Sequence, residues 1–174
     1  APLTNDLETM RCAAFCVELT DAVVPLEEPQ PAVYRLLKDA LERLAFNAVD
    51  MASIRIYFII RLLRLAGFQP QLDRCTGCHE MVHQAGCWSA RQGGLLCAHC
   101  LHEDPDAEGI SPALLDTLEA CMDSELPMPV EAAVLPLLNQ RLEEFLRWRL
   151  EYPLKTMNYN RNAEFGMRNS ELPV

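Results

Sequence analysis

Two cysteine pairs constrain the fold of this chain more than any other feature. Cys75 and Cys78 are separated by two residues, eighteen residues follow, and Cys97 and Cys100 repeat the same spacing. Pairs of this kind form tight knuckles, and four thiolates at about 2.3 Å satisfy a tetrahedral zinc ion. The spacing therefore predicts one structural Zn²⁺ bound by all four cysteines. No coordination position would remain for a water or a substrate, which argues against catalytic zinc.

Other uses of these cysteines fit the pattern less well. An iron–sulfur cluster can also use four cysteines, but two knuckles around a hairpin favour zinc. A redox dithiol needs an exposed pair of low pKa, and a closed zinc site would occupy both pairs. His79, His83 or His99 could replace a cysteine in a Cys3His site, with His102 just outside the module. With four well-spaced cysteines available, positions beside the metal or on the surface suit these histidines better.

The chain on either side of the module is predicted to be helical. Apolar residues recur at helical spacing in five segments separated by turn residues. The segments are 5–24, 31–45, 49–66, one that begins near Ser111 and ends before Glu125, and 130–150. The third is apolar around most of its circumference, which predicts a buried central helix with Gly67 at its C′ position. Pro136 either kinks the fifth helix or marks its true start.

A small hairpin is predicted between the cysteine pairs. Residues 86–90 and 94–96 form the two candidate strands, and the acidic segment 102–109 is predicted to be a connector. We therefore predict a mainly α fold, a helical bundle with an inserted four-cysteine zinc ribbon. The predicted organisation is one domain over 1–174, a zinc module over 72–102 and a loosely ordered C-terminal tail over 158–174.

Composition narrows the classes of function. The net charge is −10, and a surface this acidic repels phosphates, so strong non-specific DNA binding by this chain alone is not expected. Apolar runs of about eighteen residues are missing, so no membrane span is predicted. A signal peptide is also missing, which together with the zinc-like spacing predicts a reducing cytoplasm. Cys12 and Cys16, which share one helical face, are predicted to pack in the core, and Cys87 in the hairpin is predicted to pack and not to bind the metal.

Signatures of catalysis are missing from the sequence. It contains no G-x-S-x-G, no H-E-x-x-H and no phosphate-binding glycine loop. The carboxylate pairs 27–28 and 143–144 have no basic or nucleophilic neighbour that would suggest acid–base chemistry, so solvated surface is the expectation for both. We therefore predict that the chain is not an enzyme.

Three arginines interrupt the apolar third helix. Arg55, Arg61 and Arg64 are most simply explained as side chains that extend to a solvated face. The alternative is that Arg61 and Arg64, which are three residues apart and therefore neighbours on the helix, form a site for an anionic partner.

Two segments around the cysteines resemble a known family. Residues 62–78 read LLRLAGFQPQLDRCTGC, and residues 93–100 read GGLLCAHC. They resemble the signature of the RecO family of bacterial recombination mediators, in which an apolar helix ending Leu-Gly-Phe and a Pro-x-Leu-Asp segment lead into a four-cysteine zinc module. Residues 154–156, Leu-Lys-Thr, are similar to the family's Leu-Lys-Ser. The resemblance covers residues 5–157, the family's helical domain, and does not include its N-terminal OB-fold.

The resemblance implies a non-enzymatic mediator of DNA repair and recombination in the bacterial cytoplasm, associated with the nucleoid. It implies binding of RecR and of the acidic C-terminal tail of SSB, and only weak binding of single-stranded DNA without the OB-fold. The SSB tail ends in a hydrophobic residue with a free carboxylate, so its receptor needs an apolar pocket rimmed by cations. Arg61, Arg64 and Arg74 are the predicted partner-binding residues.

Two alternatives remain at this point. One is a generic zinc-ribbon module that binds another partner, for example in transcription. The other is an enzyme that uses the zinc, which would require an open coordination position.

Overall fold

The computed structural model of the protein describes residues 6–24, 29–46, 50–82, 86–150 and 154–157. The helices are α1 (Leu7–Val23), α2 (Pro31–Phe46), α3 (Met51–Leu65), α4 (Pro112–Asp123) and α5 (Leu135–Arg149). The strands are β1 (Cys87–Ser89), β2 (Gly94–Leu96) and β3 (Glu108–Gly109), and a 3-10 turn spans Leu101–Glu103. A short helical segment covers residues 155–157. The predicted tail over 158–174 lies outside the described residues.

Helix α3 is the centre of the fold, as its sequence predicts. Its buried side chains are Ser53, Ile54, Ile56, Phe58, Ile59, Ile60, Leu62 and Leu63. Helices α1, α2, α4 and α5 all pack against it. Burial on most sides explains why apolar residues surround nearly the whole helix rather than forming one stripe. The predicted mainly α bundle is confirmed.

The helix boundaries follow from local capping chemistry. Asp6 and Asp50 accept hydrogen bonds from backbone N–H groups in the first turns of α1 and α3, and Ser111 does the same for α4. Helix α1 therefore begins at Leu7, two residues later than predicted. At the end of α3, Gly67 has a φ of +77°, and Phe68 N–H donates to the carbonyl of Leu63. This is a Schellman ending with glycine at C′, as the sequence predicts.

Helix α5 begins later than the predicted residue 130. Its first residue is Leu135, and Pro136 lies in the first turn. Proline is tolerated there because the first N–H groups of a helix have no intrahelical acceptor. Of the two roles considered for Pro136, the structure therefore selects the start of the helix and not a kink within it.

The strands form one small antiparallel sheet in the order β2–β1–β3. Trp88 of β1 lies opposite Leu95 on one side and Glu108 on the other. The predicted hairpin is confirmed, but the prediction that residues 102–109 are only a connector missed β3. That strand is two residues long and has no apolar alternation, so its sequence carries no strand signal.

Two arginines, Arg55 and Arg141, form ion pairs that join elements of the fold. The Arg55 guanidinium donates to Glu143 at 2.8 Å and to Asn139 at 3.0 Å, and it lies 4.5 Å from the centre of the Phe15 ring. Arg141, only 6% exposed, pairs with Glu108 of β3 and with Glu144. The expectation of a solvated face was therefore wrong for Arg55 and Glu143, whose ion pair joins α3 to α5, whereas Glu144 stays partly exposed and pairs within its own helix.

Among the helices that the structure describes, none combines the length and apolar character that a membrane crossing requires.

Candidate metal centre and its surroundings

The four predicted cysteines converge on one point. The sulfur atoms of Cys75, Cys78, Cys97 and Cys100 all lie within 4.8 Å of one another, and the Cys78 and Cys97 sulfurs are 3.7 Å apart. A tetrahedron with metal–sulfur bonds of about 2.3 Å has sulfur–sulfur edges of about 3.8 Å. The separations and the all-thiol donor set therefore fit a tetrahedral zinc ion.

The first knuckle closes through hydrogen bonds around Cys75. Its N–H donates to the carbonyl of Glu80 at 2.8 Å, and its carbonyl accepts from His79 N–H at 2.9 Å. His79 has a φ of +63°, in the left-handed region that turns the chain back. At Gly77, an added Cβ would lie 2.6 Å from a Glu103 carboxylate oxygen and 3.0 Å from the Cys100 Cβ. Glycine at this position thus lets the two knuckles approach each other.

The backbone of the knuckles also favours negative charge on sulfur. Burial opposes ionisation of Cys75, but N–H groups of Cys78, Cys97 and Gly77 point at its sulfur and lower the pKa of the thiol to about 6. Burial, reinforced by the neighbouring thiols, raises the pKa of Cys100 to about 12. Several sulfurs cannot all be anionic this close together unless a cation neutralises them, which is the role of a bound metal.

The histidines described by the structure do not join the cluster. His79 and His99 are exposed, and the His102 ring bonds to the carbonyl of His99 instead. His83 lies outside the described residues. Cys87 is half-buried in β1, where it is paired with Leu96 and Gly109. The group of candidate ligands found in the described part of the chain is the predicted set of four cysteines.

The module is packed into the helical core on one side. Trp88 is 2% exposed, and its ring lies 5.8 Å from that of Phe145 on α5. Leu95 of β2 is fully buried in the same core. Ser89 donates a hydrogen bond to the buried carboxylate of Asp104, and its oxygen accepts from Gln92 N–H at 2.9 Å. Sequence reasoning missed this anchoring, because a single tryptophan in a short strand does not reveal what it packs against.

The three predicted partner-binding arginines differ in their contacts. Arg61 pairs with Glu125 at 3.2 Å, and its guanidinium lies 5.9 Å from the centre of the Tyr57 ring. Arg64 donates to Gln69 at 3.0 Å. Arg74, beside the first knuckle, donates to the carbonyl of His79 at 3.3 Å. Arg61 and Arg64 lie one turn apart on α3, whereas Arg74 follows it in the lead-in to the module.

Two surface clefts differ in their chemistry. A cleft of about 440 Å³ between residues 69–73 and α4 is lined by three carboxylates, those of Asp73, Glu119 and Asp123. A second cleft, of about 280 Å³, lies between α1 and residues 155–156. Its lining residues are Leu7, Arg11, Ala14, Lys155 and Thr156. The first cleft suits cations, and the second combines apolar surface with two basic side chains.

A family model described as "Recombination protein O C terminal" matches residues 4–158. The chain belongs to the RecO family. It is 31% identical over 163 residues to the DNA repair protein RecO of Bifidobacterium adolescentis, with 90% of this chain and 65% of the relative covered. It is 33% identical over 127 residues to that of Symbiobacterium thermophilum, with 71% and 50% covered. The chain thus spans about half to two thirds of the length of these curated relatives.

The backbone geometry explains why glycine occupies positions 93 and 94 of the RecO-like segment 93–100. Gly93 has a φ of +92°, which favours glycine. A Cβ on Gly94 would lie 2.2 Å from the carbonyl oxygen of Gln71. Gln71 N–H donates to the carbonyl of Gly93 at 3.0 Å, and Leu95 N–H donates back to the carbonyl of Gln71 at 2.9 Å. The backbone at Gln71 can therefore approach the start of β2 this closely only because Gly94 has no side chain.

Residues 154–157 of this RecO-family chain are held by one carboxylate of α1. Glu18 accepts hydrogen bonds from Lys155 N–H at 2.8 Å, from Thr156 N–H at 3.0 Å and from the Thr156 hydroxyl at 2.6 Å. Leu154 and Met157 are buried in the core. The Leu-Lys-Thr segment thus ends the described bundle by closing over α1, and it presents Lys155 at the edge of the second cleft.

Proposed function

We propose that this chain is the helical, zinc-binding part of a RecO-type mediator of DNA repair, and that it acts through protein contacts without a catalytic step. The observation that carries the proposal is the family match over residues 4–158. The activity of a whole RecO protein is part of the proposal, because the chain spans less than two thirds of its curated relatives. The same match favours a role in repair over the transcription-related alternative.

The metal in this proposal is one structural zinc ion. Cys75, Cys78, Cys97 and Cys100 would hold it, and the fit of their sulfur separations to a tetrahedron supports this assignment. Four thiolates leave no coordination position for a reacting group. In this function the zinc cross-links two knuckles and performs no chemistry.

The proposed partners are RecR and the acidic C-terminal tail of SSB. A tail that ends in an apolar residue and a carboxylate needs apolar surface together with cations. Arg61, Arg64 and Arg74 stay the proposed cations, although Arg61 is already paired with Glu125. The cleft beside Lys155 is a second candidate, supported by its apolar lining and by Lys155, although its other basic side chain, Arg11, is already paired with Glu8.

Fluorescence anisotropy with a labelled SSB-tail peptide tests this proposal and separates the two sites. The double substitution R61E/R64E should weaken binding at least tenfold if the site is on α3. The substitution K155E should do so if the cleft is the site. R35E is the matched control, since Arg35 is an exposed arginine on α2. A peptide without its last hydrophobic residue should bind poorly to every variant.

A failure of the wild-type chain to bind the peptide would remove the SSB tail from the proposal. RecR is tested separately by titration calorimetry with the purified protein. If neither the SSB-tail peptide nor RecR binds, the proposed mediator function of this chain is refuted.

We also propose that this chain binds single-stranded DNA only weakly. The net charge of −10 supports it, because phosphates are repelled at long range. Binding of a labelled oligonucleotide should be weak at 50 mM salt and should disappear at 200 mM salt. The proposed location is the bacterial cytoplasm, in association with the nucleoid.

A further inference from the structure

Helix α2 has an apolar face that points away from the bundle. Its inward face packs against α1 and α3 through Val33, Leu36, Ala40 and Leu44. Its outward face forms a shallow, almost entirely apolar groove of about 330 Å³. The residues that line this groove are Tyr34, Leu37, Lys38, Leu41, Glu42, Ala45 and Phe46, which we call the α2 face. Tyr34 is 68% exposed and Phe46 is 76% exposed, so large aromatic surface faces water here.

Two pairs of residues on the α2 face are placed symmetrically about Ala40. Lys38 and Glu42 lie two residues on either side of Ala40, and Tyr34 and Phe46 lie six residues on either side of it. Leu37 and Leu41 fill the space between these pairs. Among the described residues that line the groove, the charged ones are one cation and one anion, placed at equal distances from Ala40.

We propose that the α2 face binds the α2 face of a second copy of this chain, with the two helices antiparallel about a twofold axis at the level of Ala40. In this arrangement Lys38 of each copy meets Glu42 of its partner, and Tyr34 of each meets Phe46. A parallel arrangement would instead bring like charges together. Self-complementarity of this kind is what a twofold-symmetric interface requires.

The present contacts of the two charges allow this exchange. Lys38 and Glu42 form an ion pair within one helix at 3.7 Å, with side chains 59% and 58% exposed. An exposed pair of this kind contributes little stability. Each side chain can therefore turn to the facing helix at small cost, while Leu37 and Leu41 lose contact with water.

The size of the face indicates a weak dimer. From Tyr34 to Phe46 the helix rises about 18 Å. The area that one helix face of this length can bury lies at the low end of the range for specific protein–protein interfaces. We therefore expect association to depend on concentration in the micromolar range. The inference does not depend on the proposed repair function, since it concerns a different surface.

Sedimentation equilibrium over a concentration series tests the inference with charge-reversed variants. The wild-type chain should move from monomer to dimer. F46E should be monomeric, and its far-UV circular dichroism should be unchanged because this side chain is mostly exposed. K38E and E42K should each raise the dissociation constant about tenfold, since each places two like-charged contacts in the symmetric interface.

The decisive sample is an equal mixture of K38E and E42K. One variant then carries two acids and the other two bases, so the mixed dimer is complementary and should regain the wild-type affinity that each variant alone has lost. R35E, which reverses a charge outside the groove lining, is the control and should behave as the wild type. A wild-type chain that stays monomeric, leaving the face to another partner, overturns the proposal, and so does a mixture no stronger than its components.

Discussion

The helical body and the zinc module of this protein achieve a folded state in different ways. In the body, apolar burial is spread over five helices, and α3 alone buries eight side chains. In the module, strands of two or three residues surround a small cluster made of Cys75, Leu96 and Cys100. A hairpin of this size is not stable alone, so we expect the module to depend on the proposed zinc ion and on its contact with the body. Stability is therefore distributed in the body and concentrated in a few groups in the module.

The two regions should therefore respond differently to single substitutions. A single substitution in the body removes a fraction of a large core. A single substitution in the module can remove a ligand, a close backbone contact or the one large side chain that joins the module to α5.

The largest effect should come from the metal ligands. C97S should abolish zinc binding and unfold the module, because binding of zinc contributes on the order of 10 kcal/mol in small domains of this kind. Zinc content by mass spectrometry should fall to background, and amide resonances of residues 72–102 should lose dispersion in a ¹H–¹⁵N NMR spectrum. Resonances of α1 and α2 should be retained.

C87S is the matched control for that experiment, since Cys87 lies in β1 but is not one of the four clustered cysteines. The C87S variant should retain the wild-type zinc content and the wild-type ¹H–¹⁵N NMR spectrum. A C97S variant whose module stays ordered without metal would show that the module does not depend on zinc.

The next largest effect should come from the contact between the two regions. W88A should lower the free energy of unfolding by about 3–5 kcal/mol, because it empties the space that Trp88 fills against Phe145. Urea denaturation followed by circular dichroism gives this value. W148A removes a tryptophan that is 59% exposed and should cost less than about 0.5 kcal/mol. Equal losses in the two variants would mean that the module is not anchored through Trp88.

A smaller effect should come from the glycine contact inside the module. G94A should destabilise the protein by about 1–3 kcal/mol, since its Cβ would overlap the carbonyl of Gln71 and push the backbone at Gln71 away from β2. G109A is the control, because nothing lies within 4 Å of the position of its added Cβ. Urea denaturation of both variants compares them directly, and a G94A variant as stable as G109A would contradict the close approach.

The smallest effect should come from a polar contact in the body. Burial opposes ionisation of Glu18, but hydrogen bonds from Thr156 and Lys155 outweigh it, so the pKa of this carboxyl is lowered. A lowered pKa in the folded state contributes stability above the unfolded pKa, near 4.3, and this contribution is lost as the pH falls through the folded value. E18Q should therefore cost about 1 kcal/mol at pH 7 and less below pH 4.

Stability measured from pH 7 down to pH 3 checks this dependence. D21N, which neutralises an exposed carboxylate on the same helix, should have little effect at pH 7. A loss in E18Q that stays constant down to pH 3 would mean that the carboxylate charge is not responsible.

Helix ends and the clustering of the four cysteines could be predicted because their signals are local. Gly67 permits a positive φ at the end of α3, Ser111 caps α4, and the spacing of the cysteines brings their sulfurs together within short turns. Proline at position 136 left two possibilities, and only the position of the first helical turn selected one of them. The proposed partner-binding residues could not be derived in this way, because a binding surface depends on neighbours from several elements.

By itself, the sequence determined a helical chain interrupted by a four-thiol module, because capping residues, apolar periodicity and paired cysteines act over only a few residues. The tertiary structure decided the rest. It placed Arg55 against Glu143, eighty-eight positions away, attached Trp88 to α5, added β3 to the sheet and left one face of α2 exposed. Each of these depends on contacts between distant parts of the chain, which form only after the helices pack around α3.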